Sequence, residues 1–109
     1  MKKTTKRAIR KIASTILMAV LFISSMASIT YYHENVHKEI FRSYGIDSTI
    51  EYNFLWMGGR TITNETCSTE QCTISHNQNE IIGYSLSALV VALWCMLFTW
   101  RILKGDMIR

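Results

Sequence analysis

The sequence lacks charge over two long stretches. Residues 12–32 contain no charged side chain, and neither do residues 81–100. Each run has about the 20 residues that a helix needs to cross a hydrocarbon core of roughly 30 Å. Together they absorb much of the apolar content of a 109-residue chain that is 49% hydrophobic, which argues against a sizeable water-soluble core. Proline is absent altogether, and His33–Tyr44 has no glycine either, so nothing before Gly45 stops a helix that leaves the first run. Acid is absent from residues 1–11. Cysteine is scarce: Cys67, Cys72 and Cys95 are the only three, and with no second pair a four-thiolate zinc site is excluded. No internal repeat or low-complexity segment is present.

The charges that do occur are sorted along the chain. Residues 1–11 carry Lys2, Lys3, Lys6, Arg7, Arg10 and Lys11. Residues 33–80 carry three basic and seven acidic side chains, and residues 101–109 carry Arg101, Lys104 and Arg109 against Asp106. Basic flanks around an acidic middle predict an integral membrane protein with both termini cytoplasmic and the 33–80 loop extracytoplasmic. The basic tails have no interleaved aromatics and no binding motif, which argues against a nucleic-acid partner; the lipid bilayer is the expected partner. The expected organisation is a basic tail (1–11), transmembrane helix 1 (12–32), an outer loop (33–80), transmembrane helix 2 (81–100) and a second basic tail (101–109). Tyr31 and Tyr32 close the first run, and Tyr84 and Trp100 sit near the two ends of the second, as aromatic residues do at membrane interfaces. The first run also has the parts of a secretory signal: a basic lead, the apolar core Ile16–Ile23, and Ser25 and Ala27 ahead of a cleavage point after Ala27. Its apolar residues continue beyond Ala27 and end in tyrosines, which favours an anchor.

Just past the first run stands His33-Glu34-Asn35-Val36-His37, an H-E-x-x-H pattern. Positions i and i+4 share a helix face, so His33 and His37 can offer two imidazole nitrogens to one metal ion. Glu34 lies beside the first of them, where a carboxylate can take a proton from metal-bound water. The plainer alternative is a pair of polar residues at a membrane surface with Glu34 solvated. One helix is expected from about residue 8 to 44, its last turns above the membrane, with Val36, Ile40 and Tyr44 forming one stripe.

Between the helices the period changes. Ile50, Tyr52, Phe54 and Trp56 alternate with Thr49, Glu51, Asn53 and Leu55, which predicts a strand over 48–56. Met57–Arg60 reads as a turn and Thr61–Thr63 as a return strand. Such a hairpin either lays its aromatics on the membrane surface or the helix, or offers an edge to an extended peptide. Residues 64–79 are polar. They contain the sequon Asn64-Glu65-Thr66, and Cys67 and Cys72, for which a disulfide is the first expectation outside a membrane and zinc ligation the second. Cys95 is expected to pack within the second span.

Zinc used in catalysis takes three protein ligands and leaves one position open. If the two runs pack antiparallel, Glu80 comes level with His33, and His76 with His37 should the second helix begin early enough. Glu80 is preferred, as a residue opening a helix where the dipole favours a carboxylate, with His76 as the alternative. Tyr84 lies four residues on, where its hydroxyl can donate to an oxyanion. Glu39 and Glu51 are candidate partners for the ligand imidazoles.

His33-Glu34-Asn35-Val36-His37 followed by Asn79-Glu80-Ile81-Ile82-Gly83-Tyr84 resembles the zincin metallopeptidases in their gluzincin arrangement. The resemblance implies His33, His37 and Glu80 as zinc ligands and Glu34 as general base. It covers two short motifs. The metzincin extension is missing, since Ile40 and Ser43 stand where glycine and histidine would be. The outer part also has no room for the usual sheet and second lobe.

The fold expected is therefore mainly α: two antiparallel transmembrane helices, the first extended above the membrane, with a small outer β-hairpin. The function expected is zinc-dependent hydrolysis of a peptide or membrane-protein segment near the outer surface, with a homo-oligomer or partner subunit completing the cleft. The rival from another class is a non-catalytic membrane protein whose outer loop binds metal or a partner. A small pore-forming protein is a third, which the polar structured loop argues against.

Overall fold

The computed structural model describes residues 2–108. Two helices dominate it. Helix α1 spans Lys3–Ser43 and helix α2 spans Glu70–Leu103. At 1.5 Å per residue they are about 60 and about 50 Å long, and the molecule is a rod of 67 × 22 × 15 Å. Both helices are long and apolar enough to cross a membrane, and almost none of either apolar stretch is buried within the chain.

Each helix has a readable stop. After α1, Gly45 takes φ +76°, its N–H donates to the Arg42 carbonyl at 3.0 Å, and the Ile46 N–H donates to the Phe41 carbonyl at 2.9 Å. This left-handed cap satisfies carbonyls that the helix leaves open, and the Ile46 side chain is buried beneath it. The same pattern ends α2, where Gly105 donates to Ile102 and Asp106 to Arg101. At the start of α2 the Thr69 hydroxyl oxygen accepts from the Cys72 N–H at 3.2 Å, and Glu70 sits in the first turn. A disulfide joins Cys67 to Cys72 and clamps this start.

The helices run antiparallel in a single register. His33 faces Glu80, Phe22 faces Trp94 and Phe98, and Ser14 faces Arg101. Phe22 packs edge-on against both aromatic rings, with centroids 6.1 and 6.2 Å away. One Arg101 guanidinium nitrogen donates to the Ser14 hydroxyl at 2.9 Å, pinning the basic ends together.

Between the helices lies a two-stranded antiparallel sheet. Strand β1 is Thr49–Tyr52 and strand β2 is Gly59–Ile62, with Ile50 opposite Thr61 and Tyr52 opposite Gly59. The hairpin is shorter than the alternating pattern predicts. The pattern runs on to Trp56, but pairing stops at Asn53, whose side-chain oxygen accepts from the Gly58 N–H at 2.7 Å while its own N–H donates to the Gly58 carbonyl. Local asparagine–glycine turn chemistry thus overrides the period, and Phe54–Trp56 form an irregular turn with left-handed backbone at Leu55 and Trp56. The return strand starts at Gly59 instead of Thr61.

Helix α2 begins at Glu70, ten residues before Glu80, so Glu80 does not open the helix. The dipole argument for that residue therefore fails, and its place depends on packing. The early start turns much of the polar stretch 64–79 into helix, and α1 begins at Lys3, ahead of the expected residue 8. Cys95 is exposed on α2, not packed.

Candidate metal centre

Where the two helices rise past their apolar runs, the interface becomes polar. Of the eight described residues that are buried, four are polar, and all four lie at this level: Thr30, Glu34, His37 and Asn79. Burying a polar group is unfavourable unless it is paired, so each contact there carries weight.

His33 and His37 come one turn apart from α1, their rings edge-to-face with centroids 4.7 Å apart. Glu80 comes from α2. Its Oε1 lies 3.2 Å from His33 Nε2 and in closer contact with His37 Nε2. Ligand atoms of the three residues lie within 4.8 Å of one another. The alternative third ligand, His76, sits one turn before Glu80 and stacks on the His37 ring. Its Nδ1 is 2.7 Å from His37 Nδ1. Sequence spacing leaves Glu80 and His76 as rivals for one role; the geometry gives them different ones. Glu80 meets the Nε2 atoms, and His76 meets the far side of the His37 ring.

The donor set fits a zinc ion. Two imidazole nitrogens and a carboxylate oxygen, here within 4.8 Å of one another, form a known catalytic combination. With His37 Nε2 given over to a cation, its Nδ1 would carry the proton and donate to His76 Nδ1, an orienting contact of the kind ligand histidines commonly make. Glu80 is held below the ordinary carboxylate value: burial pushes it up, but hydrogen bonding to His37 and the charge of His33 outweigh that. His76 is lowered, first by burial and then by the charge of His37, against an opposing pull from Glu80. The first shift favours the carboxylate form that a metal would need, and the second favours the neutral ring that can accept from His37.

Glu34 is buried beside these groups. The Thr61 hydroxyl, on β2, donates to its Oε2 at 2.6 Å. Asn79 Nδ2 donates to the His33 carbonyl at 3.1 Å and ties α2 to the motif helix. Gly83 lets the His33 ring approach. A methyl carbon added there would stand 2.6 Å from His33 Cε1 and closer still to Nδ1. Thr61, Asn79 and Gly83 escape a reading of local patterns, because each acts across the fold; Gly83 alone leaves a trace, as a glycine inside an apolar helical run.

An open cleft of about 540 Å³ gives access to the centre. Its walls are α1 from Ile29 to Phe41, α2 from His76 to Ser87, and Gly58–Thr61 of the hairpin. Tyr84 lines it with its side chain 73% exposed. Glu39 and Glu51 are elsewhere. Each pairs with an arginine on the surface, Arg42 and Arg60, so neither supports an imidazole. Cys67 and Cys72 also come near His76, but their sulfurs are bonded to each other and are not thiolate donors in this state. Comparison with protein families, curated proteins and solved structures gives no match.

Proposed function

We propose that this chain is a two-span membrane protein with a zinc-dependent peptidase centre at its outer surface. The observation that carries the reading is the convergence of His33, His37 and Glu80 from two helices, with the Glu34 carboxylate alongside in the same cleft. The membrane part is supported by two exposed apolar helices of spanning length and by the basic flanks, which favour a cytoplasmic side for residues 1–11 and 101–109.

Zinc bound there would polarise a substrate carbonyl and make a bound water acidic. The residues of the chain supply the rest. Glu34 takes the proton of the attacking water at its carboxylate and passes it to the leaving amine. Thr61 holds that carboxylate through Oε2 and leaves the other oxygen for the water. The Tyr84 hydroxyl, on the cleft wall, is the donor for the negative charge that develops on the carbonyl oxygen. The substrate is a peptide segment close to the bilayer, since the cleft reaches down to Ile29 and Ser87.

The smallness of the outer part favours a second reading, a metal-binding membrane protein without turnover. Metal content and cleavage of fluorescently labelled casein separate the two. Purified in detergent, the wild type should hold one zinc per chain, and His33→Ala and Glu80→Ala should hold none. Glu34→Gln should keep its zinc and lose cleavage by roughly 10²–10⁴-fold, the usual contribution of a general base. A zinc-loaded wild type as inert as Glu34→Gln supports the second reading. A wild type that takes up no zinc overturns both.

A further inference from the structure

The hairpin tip lies outside the metal site and has an unusual surface. Phe54 is 85% exposed, Trp56 64% and Leu55 47%, and residues 52–59 contain no charge. Leu55 and Trp56 hold left-handed backbones, φ +60° and +56°, which side chains of this size adopt only where the surrounding loop enforces it. The loop is closed by the Asn53–Gly58 hydrogen bonds, so it presents these side chains in a fixed outward arrangement.

Two contacts fix where the tip points. The Thr61 hydroxyl meets Glu34, and the Met57 carbonyl accepts from the Thr30 hydroxyl at 3.0 Å. Going back along the hairpin from 61 to 57 therefore follows α1 back from 34 to 30, towards its apolar run. The tip ends level with Thr30, in the turn of α1 that also carries the exposed Tyr31 and Tyr32. The first charges above it, Glu51 and Arg60, neutralise each other at 3.0 Å.

We propose that the loop Asn53–Gly58 is a third membrane contact, whose apolar tip enters the headgroup–acyl boundary of the outer leaflet. An aromatic and aliphatic cluster at the level of interfacial tyrosines suits that layer. The proposal rests on the two-span reading and is independent of zinc. It also sets the cleft, because Gly58–Thr61 form one of its walls, so that an anchored tip holds the opening at the bilayer surface.

Single-tryptophan chains test it in phosphatidylcholine vesicles. Trp94→Phe with Trp100→Phe leaves Trp56 as the reporter; Trp56→Phe with Trp100→Phe leaves Trp94. Quenchers are bromine placed high on the lipid acyl chain and iodide in the water. Trp56 should show blue-shifted emission, loss of emission to bromine and little loss to iodide. Adding Phe54→Glu, at the most exposed position of the tip, should shift the emission to the red and restore iodide quenching. If lipid quenches Trp94 while only iodide quenches Trp56, the loop proposal is overturned and the spans stand. If neither quencher reaches Trp56, protein covers the tip, as a second copy of the chain would, and the proposal is again overturned. If lipid does not quench Trp94, the two-span reading fails and takes the proposal with it.

Discussion

Substituting Gly83 by alanine should raise helix stability and weaken the proposed metal centre at the same time. Gly83 lies inside α2, where glycine is about 1 kcal/mol less favourable than alanine. The new methyl group would stand 2.6 Å from His33 Cε1, where ordinary contact begins near 3.4 Å, so the ring must move by about 1 Å. The ring is the end of a side chain and can rotate, which keeps the fold intact but takes Nε2 away from Glu80. A ligand displaced on that scale should cost zinc affinity on the order of 10–100-fold, the range seen when a ligand loses its support, or about 1.4–2.7 kcal/mol. The two effects have opposite signs and are measured separately. Thermal unfolding of the metal-free protein should show Gly83→Ala at least as stable as wild type. Competition with a chromophoric chelator should show weaker zinc binding. A variant that binds zinc as tightly as wild type would refute the claim that Gly83 makes room for the ligand ring.

Two further outcomes follow from the structure. The Cys67–Cys72 bond closes a loop with a sequence separation of 5, for which chain entropy gives about 2 kcal/mol, and it holds the start of the helix that carries His76 and Glu80. Reduction, or the double change Cys67→Ser and Cys72→Ser, should lower the unfolding midpoint and speed amide exchange in the first turns of α2; an unchanged midpoint would contradict this role. Acid should destabilise the metal-free protein in two stages. His76 is lowered from 6.5 in the fold, so the unfolded chain binds more protons and stability drops as pH falls from 6.5 through the folded value. Glu80 is lowered from 4.5, so its contribution is present above 4.5 and is lost as pH falls through its own folded value. Unfolding midpoints measured across this range should fall throughout, with the first stage missing in His76→Gln; a midpoint that rises between pH 6.5 and 4.5 would overturn the assignment.

Much of the molecule was legible because its signals are local. The absence of charge in 12–32 and 81–100 marks two helices of spanning length by composition alone. Gly45 marks the end of α1 because only a left-handed residue satisfies the last carbonyls. The spacing of Cys67 and Cys72 suggests their bond. Other signals were present but outweighed: Thr69 and Glu70 are ordinary helix-start residues, yet the polarity of 64–79 reads as loop. The alternating pattern through Trp56 was misleading, since the turn formed by Asn53 and Gly58 takes precedence over period.

By itself, then, the sequence determined what a single helix can determine: that His33 and His37 share a face, one turn apart, above a long apolar run. Tertiary structure alone decided what meets them. The register of α2 against α1 places Glu80, not His76, at the Nε2 atoms, with His76 behind His37. The hairpin brings Thr61 to Glu34, and a missing side chain at Gly83 admits the His33 ring. These partners lie 27 to 50 positions from the motif, and no local periodicity encodes a distance of that kind. It is fixed by how two helices and a short sheet bury their polar groups against one another.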